Sequence, residues 1–347
     1  MNVLFGLLLF IPVSLIGHFA GMSETLVFLF SALSIVGLAA VMGKATEDAS
    51  HYLGERIGGF LNATFGNAAE LLINIFVLKA GMVEVVKASI VGSIIGNILL
   101  ILGLSMLCGG IKHKVQKFNI KSVELNSGML FFAIIGMCIP AVFYQSMIHS
   151  GTKAEELSIV IAIMMFVLYI LQIIFTFVTH KDMFESEESG EEHEKPSWSL
   201  KTSLVVLVVV TAVLGVMSEI FTGSVEGMSE SLGLSEQFVG LIMIPIIGNA
   251  AEHSTAIFMA MKNKMTAVIE VSVGSTLQVI LFVMPILVFV SCLFTPMNLI
   301  FTPFELVILV SSAIITNRVI EDGRSNWFEG VQLLLIYAII AVSFFIV

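Results

Sequence analysis

The sequence predicts an all-α polytopic membrane protein with 11 transmembrane helices, arranged 1 + 5 + 5 with two inverted-topology repeats. Composition is the first reason. Of 347 residues, 57% are hydrophobic and 12% are charged, and mean hydropathy is +1.03. A water-facing domain needs far more charge on its surface. Length is the second: the apolar runs are continuous and mostly approach the roughly 20 residues that carry a helix across about 30 Å of hydrocarbon. Strands would alternate, and lipid requires backbone groups to be satisfied within each segment. The third is a five-residue motif that occurs twice, in runs of opposite direction.

Taken in order, the runs lie near 2–17, 25–43, 57–79, 88–108, 125–145, 157–179, 200–222, 237–261, 265–289, 303–317 and 327–347. The first lacks a basic segment, because Asn2 and Val3 follow Met1 directly, so it reads as a span rather than a signal peptide. It forms an extra helix over 1–22, ahead of repeats at 23–179 and 200–347. Between them, 180–199 is a linker whose stretch from Asp182 to Lys195 holds seven acids among fourteen residues. Cys108, Cys138 and Cys292 stand at unrelated spacings and suggest neither a disulfide framework nor a thiolate metal site. The 19 Met and 27 Phe read as packing and lipid-facing residues.

Basic residues set the orientation. One group of loops holds Lys44, Arg56, Lys112, Lys114, Lys117, Lys121, Lys181, Lys195, Lys201, Lys262, Lys264, Arg318 and Arg324. The opposite group holds only Lys79, Lys87 and Lys153. The positive-inside rule puts the first group and the N-terminus in the cytoplasm, and the C-terminus outside.

GNAAE at Gly66–Glu70 recurs at Gly248–Glu252, an offset of 182. In the same register, Val91-Gly92-Ser93 meets Val273-Gly274-Ser275. Upstream, Thr46-Glu47 is echoed by Ser218-Glu219. The two GNAAE copies lie five spans apart, an odd number, so the halves are inverted, and such halves place a site at their interface near mid-membrane.

A carboxylate there costs about 2.5–3.5 kcal/mol on insertion scales, and no Lys or Arg lies deep in a span to pair with Glu70 or Glu252. Protons or a cation must therefore neutralise them. On the third run Asn67, Glu70 and Asn74 share a face at i, i+3 and i+7, and on the eighth Asn249 and Glu252 repeat the start of that pattern beside His253. Ser93 and Asn97, then Ser275 and Gln278, add oxygens from the fourth and ninth runs. Hard oxygens with two carboxylates and no thiolate suit Ca²⁺. The alternative for the neutral residues is plain helix-to-helix bonding, with Gly92–Gly96 as a small-residue packing seam. If metal and protons occupy the same oxygens by turns, exchange is obligatory.

At these residues the chain resembles the Ca²⁺/cation antiporter superfamily, in its cation/proton exchanger (CAX) branch, as a prokaryotic member. GGFLNATFGNAAE (Gly58–Glu70) and IPIIGNAAEHSTAIFMAMKNKM (Ile244–Met265) carry the resemblance, which runs from Ala45 to the last span. Sodium/calcium exchangers share the inverted repeat but tend to have a Pro before the acid, and Thr-Ser for Asn-Ala. The resemblance implies a secondary transporter, not an enzyme, that exports Ca²⁺ for H⁺ by alternating access. Glu70 and Glu252 are then the metal and proton site, with Asn67, Asn249, Ser93, Asn97, Ser275 and Gln278 around them. It implies no cofactor, with Ca²⁺ or Mn²⁺ as cargo. Expected partners are Ca²⁺, H⁺ and the lipid bilayer, not nucleic acid, with a homo-oligomer left open. The expected location is the cell inner (plasma) membrane.

Two positions depart from the branch: Gly96 stands where many members have Ser, and Glu270 where they are often apolar. Glu270 extends a proton path or snorkels outward, while Glu47, Glu219 and His253 read as gate or vestibule residues. Glu226, Glu230 and Glu236 lie in the loop before the eighth run, solvated or attracting cations. His180 and His193 in the acidic linker suggest cytoplasmic sensing, against the plainer reading of a solvated connector. Rival functions are a Na⁺/Ca²⁺ exchanger, a proton antiporter for Mn²⁺ or a monovalent cation, an intramembrane enzyme and a channel. No HExxH occurs to support the enzyme, and one central carboxylate pair suits alternating access better than a channel's repeated rings.

Overall fold

The computed structural model describes residues 2–150, 154–180 and 196–346. The acidic stretch of the linker, with His193, lies outside them. The described chain is helical apart from one pair of three-residue strands. Among the described residues, eight helices are long and apolar enough to cross a membrane: α2 (Glu24–Gly54), α5 (Val83–His113), α6 (Val123–Tyr144 within a helix of Ile120–Ser150), α7 (Ala154–Thr179), α8 (Leu200–Gly223), α12 (Met265–Ser291), α13 (Pro303–Ile320) and α14 (Trp327–Ile346). Their outward faces carry large exposed apolar side chains such as Phe132, Val142, Val208, Val307 and Phe345. Only a hydrocarbon solvent accepts such a belt.

The remaining expected spans differ for physical reasons. The first, α1 (Leu4–Phe19), is a short apolar helix packed on α2. The third and eighth runs are not single helices. The third divides into α3 (55–65) and α4 (Ala68–Lys79), and the eighth into α10 (Glu236–Gly248) and α11 (Ala250–Met261). Each break falls at the Asn of GNAAE. Asn67 (φ −95°, ψ 11°) and Asn249 (φ −105°, ψ 7°) leave helical geometry, so a new helix starts after each. Neither Asn caps its new helix with its side chain, which leaves both amides to reach elsewhere. The expected loop before the eighth run instead contains α9 (Val225–Leu232), bent by 117° against α10. Its buried face of Val225, Met228 and Ser229 alternates with exposed acids at helical spacing.

Long contacts tie the halves together. α2 runs along α8, α5 along α14, and α5 meets the π-helical stretch Val239–Met243 of α10. Further π-helical turns occupy Gly96–Ile101 in α5 and Val279–Val283 in α12, matching positions of the 182-residue repeat. Such turns are rare and concentrate where a helix serves a site. At the end assigned to the cytoplasm, β1 (Val115–Lys117) pairs antiparallel with β2 (Arg324–Asn326). Beside it Gln116, 1% exposed, donates its amide to the Ala260 carbonyl at 2.9 Å and to Asn263 Oδ1 at 3.0 Å, and Lys112 Nζ donates to the Met261 carbonyl at 2.9 Å. These groups satisfy the last carbonyls of α11, where a cation also complements the helix dipole. Asp48, 2% exposed at the same end of α2, pairs with Lys44 at 2.9 Å and accepts from the backbone N–H of Trp198 at 3.1 Å.

Gln116→Leu keeps the volume but removes the two hydrogen bonds that tie β1 to the Ala260 carbonyl and to Asn263, a loss of about 1–3 kcal/mol. The midpoint of thermal unfolding in detergent should fall, and an unchanged midpoint would show that this clasp does not stabilise the fold.

Candidate cation site

The two helix breaks bring the repeats face to face. Each GNAAE glycine lies against the other copy's glutamate. A Cβ on Gly66 would stand 3.1 Å from Glu252 Oε1, and one on Gly248 would stand 3.4 Å from Glu70 Cα. Glu70 and Glu252 sit in the first turns of α4 and α11, where helix dipoles favour negative charge.

Around Glu252 the polar groups form a connected set. Ser275 donates to Glu252 Oε2 at 3.0 Å and lies 3.4 Å from Asn67 Oδ1, and Asn97 Nδ2 donates to the Ser275 hydroxyl at 3.2 Å. Asn67 donates its amide to Gln278 Oε1. His253, 7% exposed, faces Asn97 Oδ1 at 3.3 Å. Around Glu70 the pattern is different. Its side chain is fully buried and faces Ser93 and Asn249, the repeat counterparts of Ser275 and Asn67, but neither carboxylate oxygen reaches full hydrogen-bond geometry with them or with any other described residue. Asn249 Oδ1 and Asn74 Oδ1 are also buried without partners, while Asn249 Nδ2 reaches Ser93 at 3.4 Å and Asn74 Nδ2 bonds the Glu70 carbonyl at 3.0 Å.

The repeats also differ in sequence here: Asn67 donates to Gln278, whose repeat partner 182 positions earlier is Gly96, and the Asn249 amide nitrogen turns to Ser93 instead. Four anionic or carbonyl oxygens without hydrogen-bond partners among the described residues, from Glu70, Asn249 and Asn74, remain in the core. Buried polar atoms left unsatisfied need an explanation, and hard oxygens with a carboxylate among them have the character that Ca²⁺ prefers.

A cavity of about 430 Å³ opens beside Glu252. Its wall includes Gly274, Ser275 and Gln278 of α12 and Asn62 of α3. Gly274 has nothing within 4 Å of a notional Cβ. Its repeat partner Gly92 is sealed: a Cβ there would stand 1.9 Å from the Leu241 carbonyl oxygen and 2.7 Å from Pro245 Cγ. One seam between the repeats is shut and its counterpart is open.

The eight central residues expected from the sequence, Glu70, Glu252, Asn67, Asn249, Ser93, Asn97, Ser275 and Gln278, lie in this one region, with His253 in contact. The other three lie elsewhere. Glu47 is exposed beside Lys44, Glu219 pairs with Lys79 at 2.9 Å at the opposite end, and Glu270 lines the cavity. Sequence reasoning passed over other cavity residues. Tyr169, Gln172 and Thr176 of α7 stand at i, i+3 and i+7, a polar stripe on an otherwise apolar run that could have been noticed. Asn62 and Asn126 carry no comparable signal.

The sodium/calcium exchanger protein family matches residues 23–178 and again 202–346. The chain is 44% identical over 340 residues to the Ca²⁺/H⁺ antiporter ChaA of Bacillus subtilis (strain 168), covering 97% of this chain and 96% of that one. It is 43% identical over 359 residues to the Ca²⁺/H⁺ antiporter of Aphanothece halophytica, covering 99% and 96%. The solved structure of native YfkE superposes with a TM-score of 0.86 at 41% identity, covering 99% of this chain and 100% of that one.

The glycine contacts predict an asymmetry. Gly66→Ala would push on the Glu252 carboxylate and on the Asn62 carbonyl at 2.7 Å, whereas Gly248→Ala would make only ordinary contact with Glu70. Divalent-cation binding by the purified protein should weaken about tenfold or more in the first and by less than about threefold in the second, a spread typical of overpacking against accommodated volume. Equal losses would mean that the two contacts are not as described.

Proposed function

This chain belongs to the sodium/calcium exchanger protein family, and we propose that it exports Ca²⁺ from the cytoplasm in exchange for H⁺, using Glu70 and Glu252 as the oxygens that metal and protons share. The observation that carries the site is the set of buried, unpartnered oxygens on Glu70, Asn249 and Asn74, next to a second carboxylate on Glu252 that borders a cavity. Two carboxylates neutralise one divalent ion or hold two protons, so each loaded form crosses the apolar core without net charge. The Ca²⁺/H⁺ antiporters of Bacillus subtilis and Aphanothece halophytica, at 44% and 43% identity over nearly the whole chain, support the choice of ions.

The protein spans a membrane many times. The basic loops support a cytoplasmic N-terminus and an external C-terminus, and the bacterial relative supports residence in the inner (plasma) membrane. On that orientation the cavity faces the cytoplasm. The family's two separate matches support repeats at 23–179 and 200–347, with 180–199 as linker and 1–22 as an extra helix. Inverted repeats in two arrangements support alternating access. The sealed Gly92 seam closes the outer side while the Gly274 seam is open, and exchanging the two arrangements would turn the site outward.

The driving force is adequate. A 10⁴-fold Ca²⁺ gradient costs about 5.5 kcal/mol, and the potential adds about 4.6 kcal/mol per 100 mV for a double charge. Two incoming protons cancel the electrical part, and three would draw on it.

In everted vesicles under an imposed pH gradient without Na⁺, the native protein should accumulate ⁴⁵Ca, and Glu70→Gln or Glu252→Gln should abolish accumulation. Full uptake in either variant would refute shared carboxylates, and uptake that needs Na⁺ rather than protons would replace H⁺ with Na⁺. Gly274→Val should fit the open seam but block its closure, leaving cation binding within about threefold while slowing transport more than about tenfold. Undiminished transport would remove this seam from the cycle.

A further inference from the structure

We propose that the cavity contains a second, weaker cation station, built around Glu270 with Asn126, Gln172 and the Tyr169 hydroxyl, where Ca²⁺ waits before reaching Glu252. This rests on the exchange reading above and adds a site to it. All four residues line the cavity that borders Glu252, and they come from three helices: α6 supplies Asn126, α7 supplies Tyr169 and Gln172, and α12 supplies Glu270.

Position along α12 separates the two stations. Glu270 precedes Ser275, which donates to Glu252, by five residues, an axial rise of about 7.5 Å. Glu270 therefore stands on the cytoplasmic side of the buried site, on the approach to it. Gly274 lies between Glu270 and Gln278 on the same face and presents no side chain to the passage. Glu270 is exposed to the cavity, whereas Glu70 is fully buried. A carboxylate in a cleft enclosed by low-dielectric protein focuses its field on the cleft and concentrates cations there.

The Tyr169 hydroxyl is an independent pointer. The residue is 5% exposed and its hydroxyl has no hydrogen-bond partner among the described residues, yet it lines the cavity. Its ring is fixed by Phe282 at 5.2 Å and Phe166 at 6.5 Å, so the oxygen is held in place. A buried hydroxyl usually finds a partner, and water on a cation supplies one. The amide oxygens of Gln172 and Asn126 have the same hard character. The volume of about 430 Å³ accommodates a Ca²⁺ ion that keeps part of its water, so this station binds before full dehydration and the carboxylate pair afterwards.

Two measurements on the full chain test this. In everted vesicles, Glu270→Gln should raise the apparent KM for Ca²⁺ at the cytoplasmic face about tenfold, with Vmax reduced less than about twofold, the scale of charge focusing in a cleft. Glu270→Asp should restore KM to within about twofold of native. Measured from the outer face in right-side-out vesicles, KM should not change. By equilibrium dialysis with ⁴⁵Ca, purified Glu252→Gln should keep weak binding that Glu252→Gln/Glu270→Gln loses. An unchanged cytoplasmic KM in Glu270→Gln, equal shifts at both faces, or equal binding by the single and double variants would overturn the station. A native protein that fails to take up Ca²⁺ under a pH gradient would instead overturn the exchange reading.

Discussion

Two carboxylates in the core of an apolar bundle, with no basic side chain beside them among the described residues, govern the arrangement. Charge at that depth is too costly to leave unbalanced. The fold answers by delivering both acids to one interface, each in the first turn of a helix that begins at a break. Metal and protons are the remaining means of balance. Exchange between them then follows from electrostatics, without any dedicated coupling part.

Much of this could be read from residues alone. The apolar runs located the helices, and the shared offset of GNAAE and Val-Gly-Ser placed eight polar residues in one region before any coordinates. The breaks at Asn67 and Asn249 were not legible, because a Gly-Asn step inside an apolar run has no stop signal strong enough to separate a kink from a continuous helix. α9 was missed for a related reason: eight residues are too few for a periodic pattern to stand out in an acidic loop. The cavity was invisible, since it depends on which of two equivalent seams is shut, and a repeat spells both alike.

The repeats are equivalent in plan and unequal in detail. The Asn67 amide meets Gln278, whereas Gly96 offers no such acceptor and the Asn249 amide nitrogen meets Ser93 instead. Glu70 sits among oxygens without hydrogen-bond partners among the described residues, while Glu252 sits within a bonded set. The two acids consequently differ in surroundings, one enclosed and without full hydrogen bonds, the other bordering the cavity and already bonded to Ser275.

The clasp at the C-terminal end of α11 has a mechanical consequence. Lys112 and Gln116, from the end of α5 and the strand after it, grip the carbonyls of Ala260 and Met261. The same two helices carry Asn97, midway along α5, and His253, near the start of α11, which face each other. Separating α5 from α11 would require breaking these contacts at two levels, so the pair is fastened both beside the carboxylates and at the far end of α11. Relative sliding is then left to neighbours that lack such a fastening.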